Sequence, residues 1–146
     1  FLSFFVGMVI AFIGATTLSE FGADFESAFS QWGSVREGDE LPYVPTHQAA
    51  AALGLSTAAW GIDLTASHVG DMRDEAGSGE ITADLHIPAH TVLDAALSVF
   101  VGDSHTIYAR IDNALGADYI ASRRPFGARP GKPRQLLFGY KYRFGR

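Results

Sequence analysis

The sequence predicts an all-β fold, an antiparallel transmembrane β-barrel segment of about six strands that forms an incomplete barrel. Three observations carry that expectation. Several stretches alternate apolar with polar or small residues at a period of two. Each has close to the roughly nine to eleven residues of a tilted strand crossing a bilayer. The connections between them are alternately short and long.

The closing stretch, 134–144, is the clearest. Its even positions hold Leu136, Phe138, Tyr140, Tyr142 and Phe144, while its odd positions include Gly139, Lys141 and Arg143. Side chains alternate faces along a strand, so one face is apolar and the other small or charged. Aromatics near its end suit a membrane–water interface. In 105–113 the same period sets Ile107, Ala109 and Ile111 against Tyr108, Arg110 and Asp112. In 90–101 it sets Leu93, Ala95, Leu97, Val99 and Val101 against Asp94, Ala96 and Ser98. In 60–71 it sets Ile62, Leu64 and Ala66 against Asp63, Thr65 and Ser67, and in 47–58 Leu53 and Leu55 against Gly54 and Ser56. The alanine run 49–52 has helix propensity, but the turn spacing around it favours a strand.

Stretch 1–18 is uncharged and about long enough for a membrane helix, the rival reading there. Its Val6, Gly7, Val9, Ile10, Ile13, Gly14, Thr16 and Thr17 suit a strand at least as well. The chain begins at Phe1 in mid-pattern and without an initiator Met, which leads us to expect a fragment.

Short connections fall at 56–60 and 102–104, and long ones at 19–46, 72–89 and 114–133. Outer-membrane barrels have short periplasmic turns and long extracellular loops, so the last strand is expected to run toward the periplasm. A soluble β-sandwich also alternates, and with a small self-closing barrel it forms the alternative class of binding or structural domain. Sandwich loops do not sort by parity.

Composition narrows the function. Hydrophobic residues make up 47% of the chain, which excludes a disordered tail. Cysteine is absent, so neither disulfides nor thiolate metal sites can form. The net charge of −5 hides an asymmetry. Of 16 acids only Asp112 and Asp118 lie beyond residue 109, whereas of 11 bases only Arg36 and Arg73 precede 110. A basic end raises nucleic acid as a partner. Here the bases are divided between a Gly/Pro-rich loop and one strand face, so no nucleic-acid partner is expected. No nucleophile elbow, phosphate loop or catalytic carboxylate pair is evident, and no enzyme is expected. The histidines at 47, 68, 86, 90 and 105 show no ligand spacing, and Pro88 breaks up the 86/90 pair, so neither metal nor cofactor is expected. Asp71, Asp74, Glu75, Glu80 and Asp84 match no calcium-loop template and read as a solvated acidic loop.

Three stretches go beyond periodicity. Gly38-Asp39-Glu40-Leu41-Pro42-Tyr43-Val44-Pro45-Thr46-His47-Gln48 leads into a strand. Arg110-Ile111-Asp112-Asn113-Ala114-Leu115-Gly116-Ala117-Asp118-Tyr119 leaves one. Arg123-Arg124-Pro125-Phe126-Gly127-Ala128-Arg129-Pro130-Gly131-Lys132-Pro133-Arg134 enters the last. With Tyr142-Arg143-Phe144, they resemble the C-terminal barrel region of TonB-dependent outer-membrane receptors, the ferric-citrate type and related iron-uptake members above all. The resemblance covers about residues 35–144. It implies that 1–146 is the C-terminal part of a barrel of about 22 strands, with the earlier strands and the plug domain outside this chain. It also implies an outer-membrane location, import of a ferric chelate, and energy relayed by TonB through a missing N-terminal region. This chain departs from the family at 1–5, and in running past Phe144 to Gly145 and Arg146.

The candidate ligand-binding residues are Arg123, Arg124 and Arg129, in the last long loop with Lys132 and Arg134. Guanidinium forks pair with carboxylate and phosphate, so an anionic ferric chelate or lipopolysaccharide phosphates fit them. Pairing with neighbouring loop acids is the competing expectation. Arg110, Asp112, Lys141 and Arg143 are expected on the polar lumen face. Asp112 and Asn113 are expected to cap a strand exit and start a turn.

Overall fold

The computed structural model describes residues 7–29, 32–125 and 127–145. The expectations for 1–6, Phe126 and Arg146 lie outside those residues. In chain order the strands are β1 (Gly7–Thr16), β2 (Phe25–Glu26), β3 (Ser34–Val35), β4 (His47–Ser56), β5 (Trp60–Val69) and β6 (Met72–Arg73). They continue as β7 (His86–Ile87), β8 (His90–Val101), β9 (His105–Asp112), β10 (Ile120–Ser122), β11 (Arg129–Pro130) and β12 (Gln135–Tyr142). The long strands form one 6-stranded sheet in the order β1-β4-β5-β8-β9-β12. Every pairing in it is antiparallel, and the sheet is not closed on itself. Residues 7–16 are a strand, so the helix reading fails there. No helix among the described residues is long and apolar enough to cross a membrane, which says nothing of strands.

The register shows why these residues share a sheet. Directly paired residues point to the same face. One row runs Ile10–Leu53–Leu64–Ala95–Ile111–Leu136 across all six strands. Rows beside it join Leu55–Ile62–Leu97–Ala109–Phe138 and Trp60–Val99–Ile107–Tyr140. One face is therefore apolar from edge to edge. It is also uncovered: Phe138 is 75% exposed and Ile10 68%. The opposite face carries Gly54, Asp63 and Ala96 in one row, and Thr65 paired with Asp94 in another. Tyr108 lies across Gly139 on that face, where any side chain at 139 would overlap its ring. β1 differs, because Val9 and Ile13 make both of its faces apolar.

Antiparallel order puts both tight turns at one end and all three long loops at the other. In the 57–59 turn, Thr57 Oγ1 accepts from the Ala59 and Trp60 amides at 3.1 and 3.0 Å. In the 102–104 turn, Gly102 takes φ +60°, a conformation costly for residues with a Cβ. The long loops carry short two-stranded ribbons, β2-β3, β6-β7 and β10-β11, which the periodicity does not announce. The only buried hydrophobics among the described residues, Val35, Met72 and Ile87, lie in these ribbons. The small core therefore sits in the loops, not against the sheet.

Candidate functional site in the long-loop cap

The three long loops are bonded into one cap. Between the first and second, Arg73 Nε binds Glu40 Oε2 at 2.8 Å and its Nη2 donates to the Gly79 carbonyl at 3.0 Å. The Glu40 amide donates to Gly77 O at 2.8 Å. Arg73 is 7% exposed, so its guanidinium needs these acceptors. Tyr43 is the junction of all three loops. Its φ of 61° is unusual for a bulky residue. Its amide donates to Arg73 O at 3.0 Å, its hydroxyl donates to Asp74, and the same hydroxyl accepts from the Arg123 amide at 3.1 Å.

Opposite charges join the second and third loops. Arg124 Nη2 meets Glu75 Oε1 at 2.6 Å and its Nε lies 3.2 Å from Asp74 Oδ2. Arg123 Nε donates to His86 O at 2.9 Å and Nη2 to Ala83 O at 3.3 Å. Asp71 Oδ1 accepts from the Ala89 amide at 2.8 Å and contacts His86 Nε2 at 2.9 Å. The Ala89 amide, and after it His86, hold the Asp71 carboxyl below its ordinary value. The acidic loop is thus not simply solvated: Asp74 is 6% exposed and bonded on two sides.

The Asp-Asn…Asp-Tyr…Pro-Gly-Lys-Pro-Arg motif forms a clasp at the base of the last loop. Asn113 takes φ 50°, a conformation that asparagine tolerates. Its Nδ2 donates to Ala117 O and Lys132 O, both at 2.9 Å, and its Oδ1 accepts from the Ala117 amide at 2.8 Å. Its own amide donates to Asp94 Oδ1 at 2.8 Å, tying the loop to β8. Asp112 is buried and binds Arg110 and Lys132. The Tyr119 ring stacks on His90 at 4.1 Å and lies flat over Gly131, where a Cβ would overlap it. The Lys132 amide donates to Tyr119 Oη at 3.1 Å. Turn formation by Asn113 follows from its residue type. Its double hold on Lys132 and Ala117 does not.

The expected arginines divide. Arg123 and Arg124 are built into the cap by neighbouring loops. Arg129 stands exposed on β11. Nearby, Pro88, Ala89, Asp118, Tyr119, Ile120, Ala128 and Pro130 line an open, mainly apolar cavity of about 420 Å³. Sequence reasoning missed Tyr43 and Tyr119 as organising residues. The close spacing of Pro42 and Pro45 was a signal of a fixed backbone at 43, but nothing in the sequence pairs Tyr43 with Asp74.

No protein-family model matches the chain, and no curated protein does. Solved structures do. The ferric-catecholate import receptor Fiu from E. coli K12 in its open form has TM-score 0.61 and 24% identity over 70% of this chain and 16% of that one. Its closed form gives 0.59 and 23%, over 70% and 15%. The ferric citrate transporter FecA in its unliganded form gives 0.60 and 19%, over 73% and 18%. At these identities the likeness shows the fold. The chain spans less than a fifth of the length of the structures it matches.

Proposed function

We propose that residues 1–146 are the C-terminal part of the barrel of a TonB-dependent outer-membrane receptor that imports a ferric chelate. The observation that carries this is the apolar face. It runs unbroken over six strands, it is uncovered, and every long loop lies at one end of it. In water such a face is an aggregation liability, whereas in a bilayer it is solvated. A sandwich would bury that face against a second sheet, and no other described strand packs on it as one. Fiu and FecA, whose fold it shares, are a ferric-catecholate import receptor and a ferric citrate transporter. On this reading the remaining strands and a plug complete the barrel, outer-membrane lipid and lipopolysaccharide surround it, and TonB engages a region outside this chain. The task is transport, not catalysis.

Arg123, Arg124 and Arg129 are the proposed contributors of positive field for the anionic chelate. Arg129, exposed on β11, is the proposed direct contact. Arg123 and Arg124 hold the cap together. The test is chelate binding by the complete receptor in outer-membrane fractions. Arg129→Ala, which leaves the cap bonds intact, is expected to weaken binding about fivefold, near the upper end for one exposed charge pair. Unchanged affinity in Arg129→Ala and in the triple alanine variant would remove the arginines from the site. Absence of the protein from the outer-membrane fraction would remove the receptor reading itself.

A further inference from the structure

The opposite, tight-turn end of the sheet holds a second cluster of chemistry that the receptor reading leaves unused. Asp103, Ser104, His105, Tyr142, Arg143 and Gly145 line an open notch of about 750 Å³ between the 102–104 turn and the end of β12. The Arg143 amide donates to Ser104 O at 2.8 Å, which fixes Arg143 beside the turn. Asp103 and Arg143 both face this notch, and no ion pair joins them among the described residues. His105 Nδ1 lies 2.6 Å from Tyr140 Oη, an arrangement that fixes the ring. The Tyr142 ring is 4.9 Å from His105 on one side and meets Phe144 edge-on at 4.5 Å on the other. Directly above the notch, Tyr140, Ile107 and Val101 continue the apolar face at 60%, 55% and 52% exposure.

We infer that this notch is a headgroup site for a phospholipid that carries both a phosphate and a primary ammonium, as phosphatidylethanolamine does. The inference rests on the membrane-spanning reading given above. The charges are complementary in kind. Arg143 lies past the end of β12, where strand parity no longer assigns it to the lumen face, and offers a planar fork to the phosphate, with His105 lining the same notch. Asp103 accepts hydrogen bonds from an ammonium, which a trimethylated choline headgroup cannot donate. The Tyr142 ring is already flanked by His105 and Phe144, so it offers no open cage for a quaternary amine. The acyl chains then lie along the apolar face that rises from the notch. Aromatic residues at this depth keep the turn level with the headgroups.

The test uses the complete receptor that contains this chain, inserted into vesicles of equimolar phosphatidylethanolamine and phosphatidylcholine, followed by native mass spectrometry of retained lipid. The expected result is that ethanolamine lipid is retained over choline lipid by about threefold, the scale of an exposed charge pair. Asp103→Asn is expected to bring that ratio close to one and Arg143→Gln to lower the retention of both lipids, with strand content by infrared spectroscopy unchanged. Insertion with equal retention of the two lipids overturns the headgroup site and leaves the membrane reading standing. So does a preference that survives Asp103→Asn. A complete receptor that never enters the vesicles overturns the membrane reading, and this site with it.

Discussion

The sheet and the cap are built on opposite principles. In the sheet, apolar residues face outward and remain exposed, and outside β1 mostly polar or small residues line the other side. In the cap the described hydrophobics Val35, Met72 and Ile87 are buried, and so are charges, Arg73 and Asp74 among them. On the proposed reading, the first arrangement uses lipid as its apolar solvent. The second uses water and ion pairs in the ordinary way. The difference teaches where each part of this molecule is solvated, and it can be broken in specific places.

The largest effect is expected from a charge on the outward face. Leu97 lies in the middle of β8, paired with Ile62 and Ala109. Leu97→Arg is expected to destabilise the lipid-embedded sheet by about 3 kcal/mol, the cost of a cation near the bilayer midplane. Thr65→Arg, on the other face and beside Asp94, is expected to cost under about 1 kcal/mol. Urea unfolding in vesicles checks both. Equal costs would mean that the two faces meet the same solvent.

A smaller effect, confined to the cap, is expected at Asn113. Asn113→Ala leaves the Ala117 and Lys132 groups without their partners and puts an alanine at φ 50°. The expected loss is about 2 kcal/mol, felt as faster amide exchange at Ala117 while β8 and β9 amides stay protected. Exchange that rose equally through the strands would show that sheet and clasp are not separate.

The smallest effect is a pH dependence at Asp71. Its carboxyl is held below its ordinary value by the Ala89 amide and His86. A lowered folded-state value means that the stabilisation is present above the unfolded value of about 3.9 and is lost as pH falls through the folded one. The β6-β7 ribbon is therefore expected to loosen below about pH 4, and Asp71→Asn is expected to flatten that dependence. An unaltered profile in the variant would assign the loosening to another carboxylate.

The same contrast explains what the sequence made legible. The sheet depends on a local signal, the period of two, and its six strands fall within two residues of the stretches read from that period, β1 aside. β1 was ambiguous because Val9 and Ile13 remove the alternation on its second face. The cap depends on contacts between distant residues. Tyr43 and Asp74, or Arg124 and Glu75, carry no mark in the sequence that pairs them. The separation of acids from bases along the chain was visible. That it would be resolved by pairing across loops follows only once antiparallel order brings those loops to one end.

The central claim is that the uncovered face of the sheet contacts lipid. Because the chain has no cysteine, single cysteines can be placed along β12 without a background. In vesicles, cysteines at 136, 138 and 140 are expected to react with a lipid-soluble maleimide and to resist a charged, water-soluble one, whereas those at 137 and 141 show the reverse. A period of two in that labelling is the predicted result. Uniform reaction with the water-soluble reagent at all five positions would contradict it.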